Sequence, residues 1–168
     1  PSFRQLIERA FGERQTLPFL WEIKRDGKKV LMDPFRENVS FNTVDEYLED
    51  YKSHNAAARE ALLKAEVFVL TLGVNEVWKL RSDGSTFSRS PWRLSPTLVE
   101  QHVMSVDENV HELEEMLKTW RRYNPNIKLI ISLSPVPLHA TFRGETHHVV
   151  TANSHSKATL RLAAEKFC

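Results

Sequence analysis

The sequence predicts an α/β protein, and three observations carry the prediction. The run "VFVLTL" at residues 67–72 is short, β-branched or aromatic, and apolar at alternating positions on both sides. That is the pattern of a strand buried on both faces, as in a parallel sheet covered by helices. A second such run, "IKLIISL" at residues 127–133, follows a long segment of helical periodicity. The third observation is "FLWEIKRDGKKVLMD" at 19–33, two apolar runs around Asp26-Gly27, the strongest short hairpin signal.

From the N-terminus, Phe3, Leu6, Ile7, Ala10 and Phe11 recur at helical spacing, with Gly12 as a stop. After the hairpin, Thr43 and Glu46 form a Thr-x-x-Glu capping box, so a helix is expected over residues 41–65, with an interruption near His54-Asn55. The first buried strand ends at Gly73. Residues 81–97, "RSDGSTFSRSPWRLSPT", are rich in Ser, Pro and Gly and read as a long excursion, uncommon in a compact domain and often functional. Val99, Val103, Val106, Val110, Leu113, Leu117 and Trp120 then alternate steps of four and three, one apolar stripe on a helix over 98–123. "NPN" at 124–126 ends it before the second strand. Strand, excursion with helix, strand is a βαβ unit, which requires the two strands to be parallel. The closing segment "SKATLRLAAEKF" is a helix with Leu160, Ala163, Ala164 and Phe167 on one side.

At 168 residues the chain is expected to be a single domain, 1–168, with an ordinary core. A hydrophobic content of 41% and a charged content of 27% belong to a soluble globular protein. The net charge of +1 argues neither for a polyanion partner nor for an acidic substrate, and no nucleic-acid partner is expected. "KRDGKK" at 24–29 and "WRR" at 120–122 read as a hairpin tip and the polar end of a helix. The only cysteine is Cys168, so an internal disulfide and a thiolate metal cluster are excluded and a cytoplasmic setting is expected. No apolar stretch reaches membrane length, and no signal-peptide layout opens the chain. It begins "PSFRQL" without methionine and reads as a piece of something longer.

Glycines at 12, 27, 73, 84 and 144 are spaced for neither a dinucleotide fingerprint nor a phosphate-binding loop, and no cofactor is implied. Ser154-His155-Ser156-Lys157 matches S-x-x-K at a helix start, but the companion K-T-G and S-D-N motifs are missing. Ser154 or Asn153 as a helix N-cap accounts for the same letters. His139, His147, His148 and His155 lack the helical pairing of a hydrolytic zinc site, so no metal is expected. Gly73-x-Asn75-Glu76 differs, because its place at a strand's C-terminal end is where open α/β sheets bind ligands. Glycine permits close backbone approach there, and an Asn amide two residues on is a neutral donor suited to a developing oxyanion. A turn held together by Gly and Asn explains the same residues without chemistry.

Three blocks in order, "VFVLTLGVNEVW" (67–78), "SPVPLHAT" (134–141) and "ANSHSKATLR" (152–161), resemble the GSCFA family, which looks like a branch of the SGNH (GDSL-like) hydrolases. The resemblance extends over nearly the whole chain. It implies a three-layer α/β/α, flavodoxin-like parallel sheet, incomplete here, with the N-terminal β-hairpin as an excursion. It further implies a Ser nucleophile, a His base and an oxyanion hole to which Gly73 and Asn75 correspond, with Glu76, Ser134 and Thr141 as binding residues. The Gly-Ser-Cys-Phe-Ala string that names the family is absent, and so is a D-x-x-H near the C-terminus. The implied activity is ester hydrolysis or O-acyl transfer on a small-molecule or glycan ester, by a chain inactive alone. The rival is a non-catalytic α/β domain that binds a ligand or partner at the same strand ends.

Overall fold

In a computed structural model of the protein, residues 1–14, 20–25, 27–36, 39–91 and 94–168 are described, Arg25 by its backbone only. Phe19, Asp26 and the Trp92-Arg93 stretch of the excursion lie outside them. The architecture is α/β: among the described residues, four helices accompany small parallel and antiparallel sheets. The chain divides into two compact units, one of residues 2–63 and 78–100, the other of residue 1, 64–77 and 101–168.

The first unit opens with α1, Ser2–Ala10, which stops where Gly12 takes φ +75°, a left-handed conformation that glycine adopts without a Cβ penalty. β1 (Trp21–Arg25) and β2 (Lys28–Met32) then pair antiparallel, with Arg25 opposite Lys28. That register leaves a two-residue loop, and Gly27 supplies positive φ (+77°), as the hairpin signal requires. β3 (Ser40–Phe41) adds to β2. α2 spans Val44–Lys64 as one helix, so the expected break at His54-Asn55 is absent. The following "AAAREALLK" is strong helix-forming sequence and carries the helix through. Its Thr43 hydroxyl caps the Glu46 amide as anticipated, while the Glu46 carboxylate accepts from the Asn42 N–H. The Ser/Pro-rich excursion is more ordered than its composition suggests. Phe87 joins Phe35, Leu80 and Val99 in a buried cluster, its ring stacked on Phe35 at 5.7 Å. Gln5 exchanges two hydrogen bonds with the Thr86 backbone, satisfying buried groups on both sides.

In the second unit, β4 (Val67–Leu72) and β7 (Lys128–Leu133) are parallel neighbours in register from Val67 opposite Lys128 to Leu72 opposite Leu133. The βαβ reading therefore holds in its main element. Phe68 faces α3, meeting Trp120 edge-to-face at 5.2 Å. α3 in turn lies against α4, and α4 lies on β7. The other face differs from expectation: Val67, Val69 and Ile130 are 51%, 58% and 53% exposed. The apolar runs mark strands able to be buried on both sides, and the described residues of this unit cover only one.

The helix expected over 98–123 is two elements. Val99–Val103 is strand β6, paired with β5 (Glu76–Leu80), and α3 runs Val106–Tyr123. The Met104 N–H donates to the Asn75 carbonyl and the Arg81 N–H to the Leu98 carbonyl, so β5 and β6 run antiparallel. Ser105 and Glu108 form a full capping box and start the helix there. Val103 thus belongs to a strand, and the buried stripe of α3 is Asn109, Val110, Leu113, Met116, Thr119 and Trp120, with Leu117 at its margin. α4 spans Val149–Phe167, earlier in the chain than expected. His148 is its N-cap, its ring accepting from the Val150 N–H. Asn153 and Ser154 are therefore interior, not caps.

Candidate functional site

The end of β4 sets the geometry. The Ser134 N–H donates to the Leu72 carbonyl at 2.9 Å, continuing the ladder with β7 by one residue. That bond fixes the plane of the Leu72–Gly73 peptide. The peptide is trans, so the Gly73 N–H points the opposite way, off the edge of β4 remote from β7. Among the described residues that N–H has no acceptor, and β4 pairs with β7 alone. Gly73 is half-buried, and nothing lies within 4 Å of where a Cβ would stand.

The carbonyl of Gly73 is held instead. Lys157 Nζ, on α4, donates to it at 2.9 Å. The next residue back, Ser156, is fully buried and its Oγ accepts the Asn75 N–H at 2.8 Å. Both contacts come from the "SHSK" letters that matched a nucleophile motif. The structure gives Ser156 and Lys157 to the Gly73–Asn75 turn. The S-x-x-K match names both residues but does not place either against Gly73 or Asn75.

Asn75 is fully buried. Its side-chain Nδ2 donates to the Met104 carbonyl at 3.1 Å, and its own carbonyl accepts from the Met104 N–H. The side-chain amide therefore faces the strand end of β6, with its nitrogen engaged. Its Oδ1 is buried with no hydrogen-bond partner among the described residues. An unmet buried acceptor costs about 1–3 kcal/mol, and native folds retain few of them.

Glu76 is the acceptor of a second cluster. Thr141 Oγ1 donates to Glu76 Oε1 at 2.7 Å, Arg143 Nε donates to the same oxygen at 2.9 Å, and the Phe142 N–H approaches Oε2 at 3.4 Å. Arg143 also reaches the Ala152 carbonyl with Nη2 at 3.4 Å. Of the expected binding residues, Glu76 and Thr141 are thus brought together, with Arg143 as a partner that no motif had marked. Ser134 closes its own turn, its Oγ accepting from the Val136 N–H. The Asn153 side chain accepts from the Leu138 N–H, so both "SPVPLHAT" and "ANSHSK" are tied into this end of the unit.

Among the described residues, no Ser or Thr hydroxyl meets a His ring that also holds a carboxylate. Thr146 and His147 make an exposed neighbour pair at 2.8 Å, and His102 meets Glu108 at 2.6 Å with no hydroxyl on its other nitrogen. No described helix is long and apolar enough to cross a membrane. The model of the GSCFA family matches residues 2–168. No curated protein and no solved structure gives a significant match.

Proposed function

From the premise that the chain belongs to the GSCFA family, we propose that it carries the oxyanion-binding side of an SGNH-type ester hydrolase or O-acyltransferase acting on a small-molecule or glycan ester. The observation that carries the reading is the Gly73 N–H, a donor with no acceptor among the described residues, at the C-terminal end of a parallel strand and held in a fixed peptide plane. Donors already aimed where charge develops are the largest usual contribution to acyl transfer.

In that reaction a Ser hydroxyl loses its proton to a His and adds to the ester carbonyl carbon, and the π electrons move to the carbonyl oxygen. The Gly73 N–H then donates to that oxyanion. Collapse of the tetrahedral species expels the alcohol, which takes the proton from the His. Water or a second alcohol afterwards removes the acyl group from the Ser. No hydroxyl–imidazole pair of this kind stands among the described residues, and the reading assigns the nucleophile and base to none of them. Asn75 enters as the residue that ties the end of this connection to Met104, while its Oδ1, without a partner among the described residues, remains open to a donor.

One observation favours a second reading, a non-catalytic domain that binds a ligand or partner at the same strand ends. The Asn75 amide nitrogen, which an oxyanion hole would use, is engaged by Met104. Hydrolysis of p-nitrophenyl acetate separates the two. The product of the complete reading frame should turn over and be blocked by a serine-directed phosphonate, while residues 1–168 alone stay at the rate of an inert protein. No turnover by the complete product across short-chain esters and acetylated glycans would favour the binding domain. Phosphonate-sensitive turnover by residues 1–168 would place the nucleophile within them.

A further inference from the structure

We propose that Arg9 anchors a second binding site, one that takes a small carboxylate, within the unit of residues 2–63 and 78–100. The inference is independent of the reaction proposed at Gly73. Arg9 lies in the last turn of α1 and is only 8% exposed. Its Nε is buried with no hydrogen-bond partner among the described residues, and its two Nη atoms meet no acceptor among them either. The Phe35 ring lies against the guanidinium, with the central carbon 5.6 Å from the ring centroid. A ring attracts such a cation through its face and leaves the N–H edge unserved. Charged side chains this far from water are otherwise paired and hydrogen-bonded, so a buried donor edge of this kind calls for an anion.

The neighbouring acids do not supply it. Both oxygens of Asp33 are engaged, Oδ1 by the Phe35 N–H at 2.9 Å and Oδ2 by Arg36 Nε at 2.8 Å. Asp50 is paired with Arg36 Nη2 at 2.6 Å. The Asp33 side chain is 3% exposed and that of Asp50 44%, so the deeply buried charges here are two cations and one anion. Burial lowers the pKa of Arg9, and Tyr51, Asp33 and Tyr47, in that order, pull it back up. Burial, with Asp33 and Tyr51, pushes the Tyr47 phenol up to about 12, so it remains a protonated donor. Burial and then Arg36 hold His54 below its ordinary pKa, and it adds no further cation at neutral pH.

The excess is one positive charge, which a monoanion balances. The parallel N–H pair of a guanidinium fits the two oxygens of a carboxylate. The adjoining Tyr47 and Tyr51 rings, 5.7 Å apart, carry further hydroxyl donors. A phosphate dianion would bring a second negative charge up to Asp33. Tyr51 and His54, three residues apart on α2, are half-buried and form the solvent side of the cluster.

Thermal melts and side-chain NMR test the site, with sodium acetate and inorganic phosphate as probes and sodium chloride at matched ionic strength as the control. Acetate should raise the Tm of the protein saturably and shift the Arg9 Nε–H resonance along the same binding curve. Arg9→Met should weaken acetate binding by about tenfold or more, the worth of a hydrogen bond to a charged group. An Arg9 resonance that acetate leaves unmoved overturns the proposal, and this readout decides the matter if Arg9→Met fails to fold. An Arg9→Met melt that acetate raises as much as the wild type's assigns the effect to salt in general and overturns it too. A response to phosphate alone overturns the carboxylate assignment.

Discussion

Arg143 Nε donates to Glu76 Oε1 at 2.9 Å, with the two side chains only 14% and 7% exposed. The same carboxylate oxygen accepts from Thr141, so the loop after β7 is anchored to the first residue of β5 by a charged and a neutral donor. Removing one partner of such a pair leaves a charge buried without compensation, at about 3–5 kcal/mol. Arg143→Met should lower stability by that order in urea unfolding. The double change Arg143→Met with Glu76→Gln should recover a large part of it, because no isolated charge remains. A single-variant loss below about 1 kcal/mol, the worth of an exposed pair, would show that solvent reaches Glu76.

Asn75→Ala removes the Nδ2 bond to the Met104 carbonyl and the unpaired Oδ1 together. The two effects oppose each other, so the loss of stability should fall toward the lower end of about 1–3 kcal/mol. Asn75→Asp should be worse than the alanine, since it places a carboxylate against the Met104 carbonyl with no donor in place. Thermal melts of the two variants check the order. Asn75→Asp as stable as wild type would mean that the side chain turns outward.

The start of α3 should respond to pH in one direction. The Glu108 carboxyl is held below its ordinary pKa, first by the Ser105 N–H and then by His102 and the Ser105 hydroxyl. A carboxyl lowered in the folded state binds fewer protons there than in the unfolded chain. Its contribution is therefore present above the unfolded pKa of about 4.3 and is lost as pH falls through the folded value. Glu108→Gln should lower the melting temperature at neutral pH and match wild type in acid. A difference that persists unchanged below about pH 3 would assign the effect to helix propensity.

The exposed face of the parallel pair gives a contrast within one unit. Val69→Thr alters a residue 58% exposed and should change stability by less than about 0.5 kcal/mol. Trp120→Ala, fully buried against Phe68, should cost about 3–5 kcal/mol. Comparable losses from both would show that Val69 is covered in solution.

Much of this was legible from residue order. The parallel pairing of β4 and β7 followed from two apolar runs separated by a helical segment, and the Asp26-Gly27 signal set the hairpin register that Arg25 and Lys28 adopt. The failures have local causes. Val99 and Val103 continue the helical stripe numerically, yet Ser105 and Glu108 form the capping box that begins the helix after them. Period alone does not separate a strand's end from a helix's start when the spacing happens to agree. The partners of the turn were harder. Ser156, Lys157 and Arg143 reach Gly73, Asn75 and Glu76 across more than sixty positions of chain, and hydrogen bonds of that kind leave no period in the sequence. Nor does a G-x-N string say which way its amide faces; that is set by Met104, just past the end of a strand the periodicity had hidden.

The central claim is that the Gly73 N–H receives the oxyanion of an acyl-transfer reaction. A crystal structure of the complete reading-frame product, inactivated by a serine-directed fluorophosphonate, tests it most directly. The claim predicts a phosphoryl oxygen about 2.7–3.1 Å from the Gly73 nitrogen, with the Lys157 bond to the Gly73 carbonyl intact. A covalent adduct whose phosphoryl oxygens are all bonded elsewhere, with the Gly73 N–H facing solvent, would contradict it.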